Sequence, residues 1–396
     1  MKLETKHDTY EFIFIPILFV LLLINTLYRS EYEQLFFWGD MSTTVTFIGM
    51  FVLLLKSWIE KTTYDVSLNK IYLTLFLLMF VYGISYFTYH QLNALHFIRL
   101  MLFFLFILGS IRMKWNKDYL KIAGHIFSIA SLLFLCHWIL SGMPLSGFKS
   151  IFRNENYLGV LLFCMLFFNI LSIKYSEAIK RLFFIFIMLI NLFLILLTGS
   201  RAVLIGLMVI IGAWIILKSY HHIFDKLFYL VIIGNLLFVG IYVSIKNTFI
   251  GDFLNKLSVS IFNKNLFSGR SDIWDSVLQV IIKNPWFGYG VGIRAPDIAE
   301  TESTAHNMYL QVLLEVGVVG LLLFVLLLYS MWRVLNNRLN HFVTKWSACF
   351  MLGILVYNEF ELTLMINNYS IAAFQWLIMT IGISFTENKL SNSSFE

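Results

Sequence analysis

The residues equipped for chemistry gather in one polar interval of an otherwise apolar chain, Ser268 to Glu315. His306 is the one histidine in that interval. A histidine takes and returns a proton near neutral pH, so His306 is a candidate general base. Its other reading is an interfacial imidazole hydrogen-bonded to a helix end. Asn307 stands beside it at a helix start, after Ser303 or Thr304 as the expected cap. Arg270, in SGRSDIW, and Arg201, in TGSRAVLIG, offer a fixed charge and a planar fork of donors, the chemistry of a phosphate or pyrophosphate grip. A snorkelling anchor, or for Arg270 a partner of Asp272, is the alternative use. Arg153 and Asn156, in FRNENYLG, add a third cation and an amide. Glu315 follows His306 by nine residues, half a helical turn away in projection. It is therefore grouped with the binding residues, as partner to a cation or as a capping group, and not as half of a catalytic dyad.

The elements that position these groups are membrane helices. Of the 396 residues 59% are hydrophobic and only 13% charged, with a mean hydropathy of +0.79. That excludes an ordinary soluble protein. A bilayer core takes roughly 20 apolar residues per helix. Twelve windows qualify: 12–28, 41–55, 71–89, 97–111, 119–141, 157–173, 182–198, 202–217, 227–244, 309–331, 344–358 and 369–385. The second is diluted by Ser42, Thr43, Thr44 and Thr46, and the seventh and eighth are separated only by TGSR. Cys136, Cys164 and Cys349 sit inside apolar runs with no CxxC spacing, which implies neither a disulfide framework nor a metal site.

Charge sets the orientation. Eighteen Lys and Arg fall on the side shared by both termini, against four in the short loops of the other side and six in the long segment 245–308. Positive charge stays inside, so both termini are expected in the cytoplasm and the long segment outside. The formal charge of +6 is read as topology, not as a nucleic-acid footprint. The expected fold is thus all-α, one transmembrane domain over 1–396 with an extracytoplasmic loop at 245–308. Within the loop, Ile273, Trp274, Val277, Leu278, Ile281 and Ile282 recur at helical spacing and predict a helix lying in the membrane interface. Asn284-Pro285 ends it, and Gly288, Gly290 and Gly292 let the backbone fold back closely. No Walker loop, GxGxxG before a helix, HExxH or outer DxD pair is present. No cofactor and no metal is expected, and a catalyst on the outer face must draw on an activated substrate already carried by a lipid.

Five motifs, FRNENYLG, TGSRAVLIG, GRSDIW, NPWFGYGVG and HNMYLQVLLEVGVVG, occur in an order and topology that resemble the O-antigen ligase and Wzy-type polysaccharide polymerase family of membrane glycosyltransferases. The resemblance implies a GT-C-like bundle in the cytoplasmic membrane acting, without metal, on undecaprenyl-pyrophosphate-linked glycans as donor and acceptor. A flippase and a chain-length regulator are the implied partners. By that analogy His306 deprotonates the acceptor hydroxyl, Arg201 and Arg270 hold the donor pyrophosphate, Arg153 and Asn156 shape the lipid-side mouth, and the anomeric centre inverts. The polymerase of a capsule, exopolysaccharide or O-antigen is the expected member. A ligase that moves a finished glycan to lipid A core or protein is the alternative, and a non-enzymatic carrier of lipid-linked oligosaccharide is the second. A carrier would be expected to show several ionisable residues along a transmembrane path, where this chain has Arg99, Glu315 and little else.

Overall fold

The computed structural model describes residues 4–59, 65–89, 94–262, 265–267, 269–365 and 369–386, with side chains from 13 onward. Lys2, Lys61, Lys264 and Lys389, counted above for orientation, and Ser268 lie outside the described residues. The helices are α1 (Glu4–Asn25), α2 (Gln34–Ile59), α3 (Asn69–Thr88), α4 (Ala94–Arg112), α5 (Lys117–Leu140), α6 (Glu155–Tyr175), α7 (Ala178–Thr198), α8 (Arg201–Ser219), the short α9 (His221–Phe224), α10 (Lys226–Ile245), α11 (Phe249–Phe262), α12 (Arg270–Lys283), the short α13 (Ala295–Ile298), α14 (Met308–Asn337), α15 (Phe342–Tyr357) and α16 (Tyr369–Ser384). Nine described stretches are long and apolar enough to cross a membrane, and three shorter apolar helices, Ile13–Arg29, Phe342–Tyr357 and Tyr369–Ser384, complete the twelve expected. The chain is a polytopic membrane helix bundle.

Side-chain chemistry explains which helices are central. In α7, Phe184, Ile187, Ile190 and Leu194 are buried while Phe186, Leu189 and Leu196 on the other side are mostly exposed, the stripe of a helix facing lipid. Helices α6, α15 and α16 are apolar and buried on nearly every side, so they form the centre. The diluted second window is a full helix because its hydroxyls bond to helix carbonyls. Thr43 Oγ1 donates to Gly39 O (2.8 Å), Thr46 Oγ1 to Ser42 O (2.8 Å), and Ser42 Oγ crosses to Leu21 O on α1 (3.0 Å). Arg99 on α4, the one Lys or Arg outside the orientation count, is paired with Asp40 on α2 at 2.5 Å. The TGSR junction turns on Gly199, which caps α7 at φ 65°.

The segment between α10 and α14 departs from expectation in two ways. The apolar face of α12 docks on protein instead of lying in the interface. Trp274, Val277 and Ile281 are buried in a second core with Val239 and Tyr242 of α10 and Leu310 and Leu314 of α14. Packing against α10 and α14 covers most of that face and leaves Ile282 exposed at its end. The helix that shows a bare apolar side is α11, unforeseen in the sequence, with Phe249, Ile250, Phe253 and Ile261 exposed. The glycine-rich turn does fold back, onto a break in α14. Gly317 has φ 65° and ψ −165°, a glycine-only conformation that interrupts the helical ladder. The loop supplies the missing partners: Tyr289 N donates to Leu314 O (2.8 Å), Gly290 N to Glu315 O (3.0 Å), and Val318 N to Pro285 O (2.8 Å).

Candidate functional site

Four connections meet at the end of the bundle where α14 begins. Asn307 caps that helix: its Oδ1 accepts from Leu310 N (3.0 Å), while its Nδ2 donates to Glu359 Oε1 (2.9 Å) and Glu359 O (3.1 Å). The cap is therefore Asn307, not Ser303 or Thr304, and Asn307 is fully buried. The correction has a simple cause, since the short amide reaches the first turn directly and is held there by the loop that follows α15. His306 consequently precedes the helix, with φ 45°, a left-handed value uncommon outside glycine and asparagine. Its neighbours hold it there. Trp274 Nε1 donates to Ala305 O (2.7 Å), and Met308 N to Asn358 O (2.9 Å).

Glu361, from the loop between α15 and α16, joins three of the residues singled out above. Its Oε1 accepts from Arg270 (3.3 Å) and from Asn156 Nδ2 (3.0 Å), and its Oε2 lies 3.6 Å from His306 Nδ1. A cavity of about 310 Å³ opens beside it, lined by Arg29, Arg153, Asn156, Arg294, His306 and Glu361 among others. Arg153 is fixed at the rim, with Nε on Ser30 O (3.2 Å) and its guanidinium 4.2 Å from the Phe36 ring centroid. An isolated bridge between Ser30 and Phe152 ties the loop after α1 to the loop before α6, which brings Arg29 and Arg153 to one place. Arg294 is forked onto Asp297 (3.2 and 3.0 Å), and that hydrogen-bonded pairing holds the Asp297 carboxyl below its ordinary value.

Arg201 and Arg270 meet at the head of a second cavity, about 400 Å³, walled by Leu204, Met208, Phe238, Leu254, Leu257 and Ile261 among others. Arg201 donates to Ser258 Oγ and Asn265 O, both at 3.2 Å. Arg270 also lies 5.8 Å from the Phe360 ring centroid. The Arg270–Glu361 pair thus stands between an apolar groove headed by two guanidiniums and a polar cavity holding an imidazole. Such an arrangement can hold an amphiphile by its phosphate, present the polar portion to a base and stabilise charge that develops on the departing oxygen.

Glu315 is not part of this assembly. It is fully buried, its Oε1 accepts from Gln311 Nε2 (2.9 Å), and the structure pairs it with no cation among the described residues. Gln311 lies one turn earlier on the same helix and serves one carboxyl oxygen, while Oε2 is buried without a hydrogen-bond partner among the described residues. Sequence reasoning missed Glu361 and Glu359; the available signal was a short loop, NEFELT, with two carboxylates between apolar helices.

Comparison with known proteins agrees with the motifs. Residues 183–325 match the family model described as "O-Antigen ligase". Two proteins bearing the name "putative polysaccharide ligase" are similar. That of Rickettsia typhi is 26% identical over 321 residues, covering 74% of this chain and 76% of the relative. That of Rickettsia conorii is 31% identical over 112 residues, 24% of this chain and 27% of the relative. Four of the five motifs fall within the matched segment, and FRNENYLG, at 152–159, lies outside it. The resemblance to this family, and with it an enzymatic activity of the glycosyl-transfer type, holds.

Proposed function

With that likeness as the premise, we propose that this chain is a polysaccharide ligase that transfers a glycan from a polyprenyl pyrophosphate carrier to an acceptor hydroxyl, at the outer face of the cytoplasmic membrane. His306 takes the acceptor proton, and the freed oxygen attacks the anomeric carbon. The bond from that carbon to the phosphate oxygen breaks, and the lipid pyrophosphate leaves with the electron pair, its charge held by Arg201 and Arg270. A single displacement of this kind inverts the anomeric centre. The reading rests on one observation above all: the apolar groove headed by Arg201 and Arg270 adjoins, across the Arg270–Glu361 pair, the polar cavity that His306 lines. A polyprenyl chain suits the groove, its pyrophosphate the two guanidiniums, and sugars the cavity.

The comparisons favour the ligase over the polymerase that the sequence alone suggested, because both named relatives are ligases by name and the matched family model is described in the same terms. The test is transfer by purified protein given a lipid-pyrophosphate-linked glycan and two acceptors, a second carrier-linked unit and a carrier-free saccharide. A ligase joins the glycan once to the carrier-free acceptor and releases lipid pyrophosphate, and His306→Ala and Arg270→Ala abolish this. A growing ladder on the carrier would identify a polymerase, and movement of the donor across vesicles without any transfer would replace the enzyme by a carrier.

A further inference from the structure

We propose that Glu361 is a positioning residue that acts as a stand-in for the donor pyrophosphate: it occupies Arg270 while the groove is empty and is exchanged onto His306 when the donor arrives. The inference rests on the donor seat described under Proposed function and adds a coupling between that seat and the base.

The geometry points to an exchange because the two oxygens of Glu361 face different partners. Oε1 is held by Arg270 and Asn156, at 3.3 and 3.0 Å. Oε2 faces His306 Nδ1 at 3.6 Å, too long for a hydrogen bond but within an ion-pair limit. The carboxylate therefore sits on the arginine and beside the histidine without yet bonding the latter. A pyrophosphate carries more charge and more acceptor oxygens than a carboxylate and competes for the same guanidinium fork. Displaced from Arg270, Glu361 cannot simply turn to water, since its side chain is only 14% exposed. A carboxylate kept in so enclosed a place needs another donor. Asn156 remains on Oε1, and His306 Nδ1 lies a few tenths of an ångström beyond reach of Oε2.

Closing that gap orients the imidazole. Nδ1–H on a carboxylate leaves Nε2 bare as the proton acceptor and strengthens it as a base, as the second partner of a working histidine generally does. The base is then at full strength only when a donor is in place. After transfer the carboxylate neutralises the imidazolium. When the lipid pyrophosphate departs, Glu361 returns to Arg270 and closes the seat behind it. The charged groups that face His306 across the cavity are Arg29, Arg153, Arg294 and Glu361, so Glu361 is the carboxylate among the described lining residues able to play this part.

The experiment uses the full chain in detergent and inorganic pyrophosphate as the probe, measured by titration calorimetry, followed by transfer rates from pH 5 to 9 at saturating donor. Glu361→Gln removes the competing charge and keeps the shape. It is expected to bind pyrophosphate about tenfold more tightly than wild type, which corresponds to ~1.4 kcal/mol, while transferring more slowly. The pH at which its rate reaches half the plateau moves to lower values, and Glu361→Asp recovers part of the wild-type profile. Equal or weaker pyrophosphate binding by Glu361→Gln overturns the stand-in role even if transfer is lost. A slower rate with an unmoved pH profile overturns the link to His306. If Arg201→Ala and Arg270→Ala both bind pyrophosphate as wild type does, the donor seat itself is wrong and the proposed function fails at that step, a result separable from the other two.

Discussion

Burial pushes the Glu359 carboxyl up from its ordinary 4.5 to about 8, against the pull of the Asn307 amide bonded to it. An unfolded chain releases this proton near 4.5 and the folded chain keeps it until about 8. Between those values the folded state binds more protons, so stability falls as pH rises through the window. Glu359→Gln retains an acceptor for Asn307 and cannot ionise. Its melting temperature in detergent, followed by tryptophan fluorescence, should therefore decline less from pH 5 to pH 8 than that of wild type; parallel curves would show that Glu359 is not the group responsible. His306→Ala is expected to leave the melting temperature nearly unchanged, since the imidazole is 37% exposed and caps nothing. Transfer should fall about 10²–10⁴-fold, the usual worth of a positioned base. At this scale His306, Arg201 and Arg270 were legible because each is a polar group with no local reason to stand where it does. Glu361 was not, because its meaning comes from partners 55, 91 and 205 positions away. For Glu315, depth in a helix suggested a distant cation, and the structure puts the neighbouring Gln311 on one of its oxygens instead.

The element that aims His306 is α14 with its break. A Cβ on Gly317 would lie 2.3 Å from the backbone carbonyl of Trp286, and one on Gly288 2.6 Å from the backbone of Glu315. Loop and helix are thus in backbone contact at both points, which leaves no side chain to give way. Gly317→Ala adds backbone strain of about 1–3 kcal/mol to that collision. It should lower the melting temperature and cut transfer, because the displaced loop leads directly into residues 295–306. Gly212→Ala on α8, whose Cβ would meet open space, is the matched control and should leave transfer unaltered. Transfer surviving in Gly317→Ala at wild-type rate would mean that the break does not aim the base. The twelve apolar helices were legible because hydropathy marks a membrane helix whether it faces lipid or, like α6, α15 and α16, the centre of the bundle. Helix α11 was not, since its 14 residues fall short of a span. The docking of α12 was also hidden, for a periodic apolar face reads the same whether it meets lipid or protein.

At the scale of the whole molecule the acceptor could not be read from the sequence, because cavity shape decides it and hydropathy does not encode cavity shape. Orientation is different, since charge bears on it directly. His306, Arg153, Arg201, Arg270 and Glu361 share one end of the bundle, and the arginine-bearing cluster of Asp65, Arg112, Lys114 and Arg338 occupies another cavity, between the loops after α2, α4, α14 and α16. The excess of Lys and Arg on the loops of that second group predicts that they face the cytoplasm and that the His306 end faces outward. The prediction can be checked with single cysteines placed in a chain whose exposed Cys136 is replaced by serine, Cys164 and Cys349 being buried. Ser303→Cys lies in the exposed loop before His306, and Ser219→Cys at the exposed end of α8. An impermeant maleimide applied to intact cells should label the cysteine at 303, and that at 219 only after the membrane is opened. The opposite pattern would put the base on the cytoplasmic side, where nucleotide-activated sugars are at hand, and would remove the physical reason for a lipid pyrophosphate as the donor.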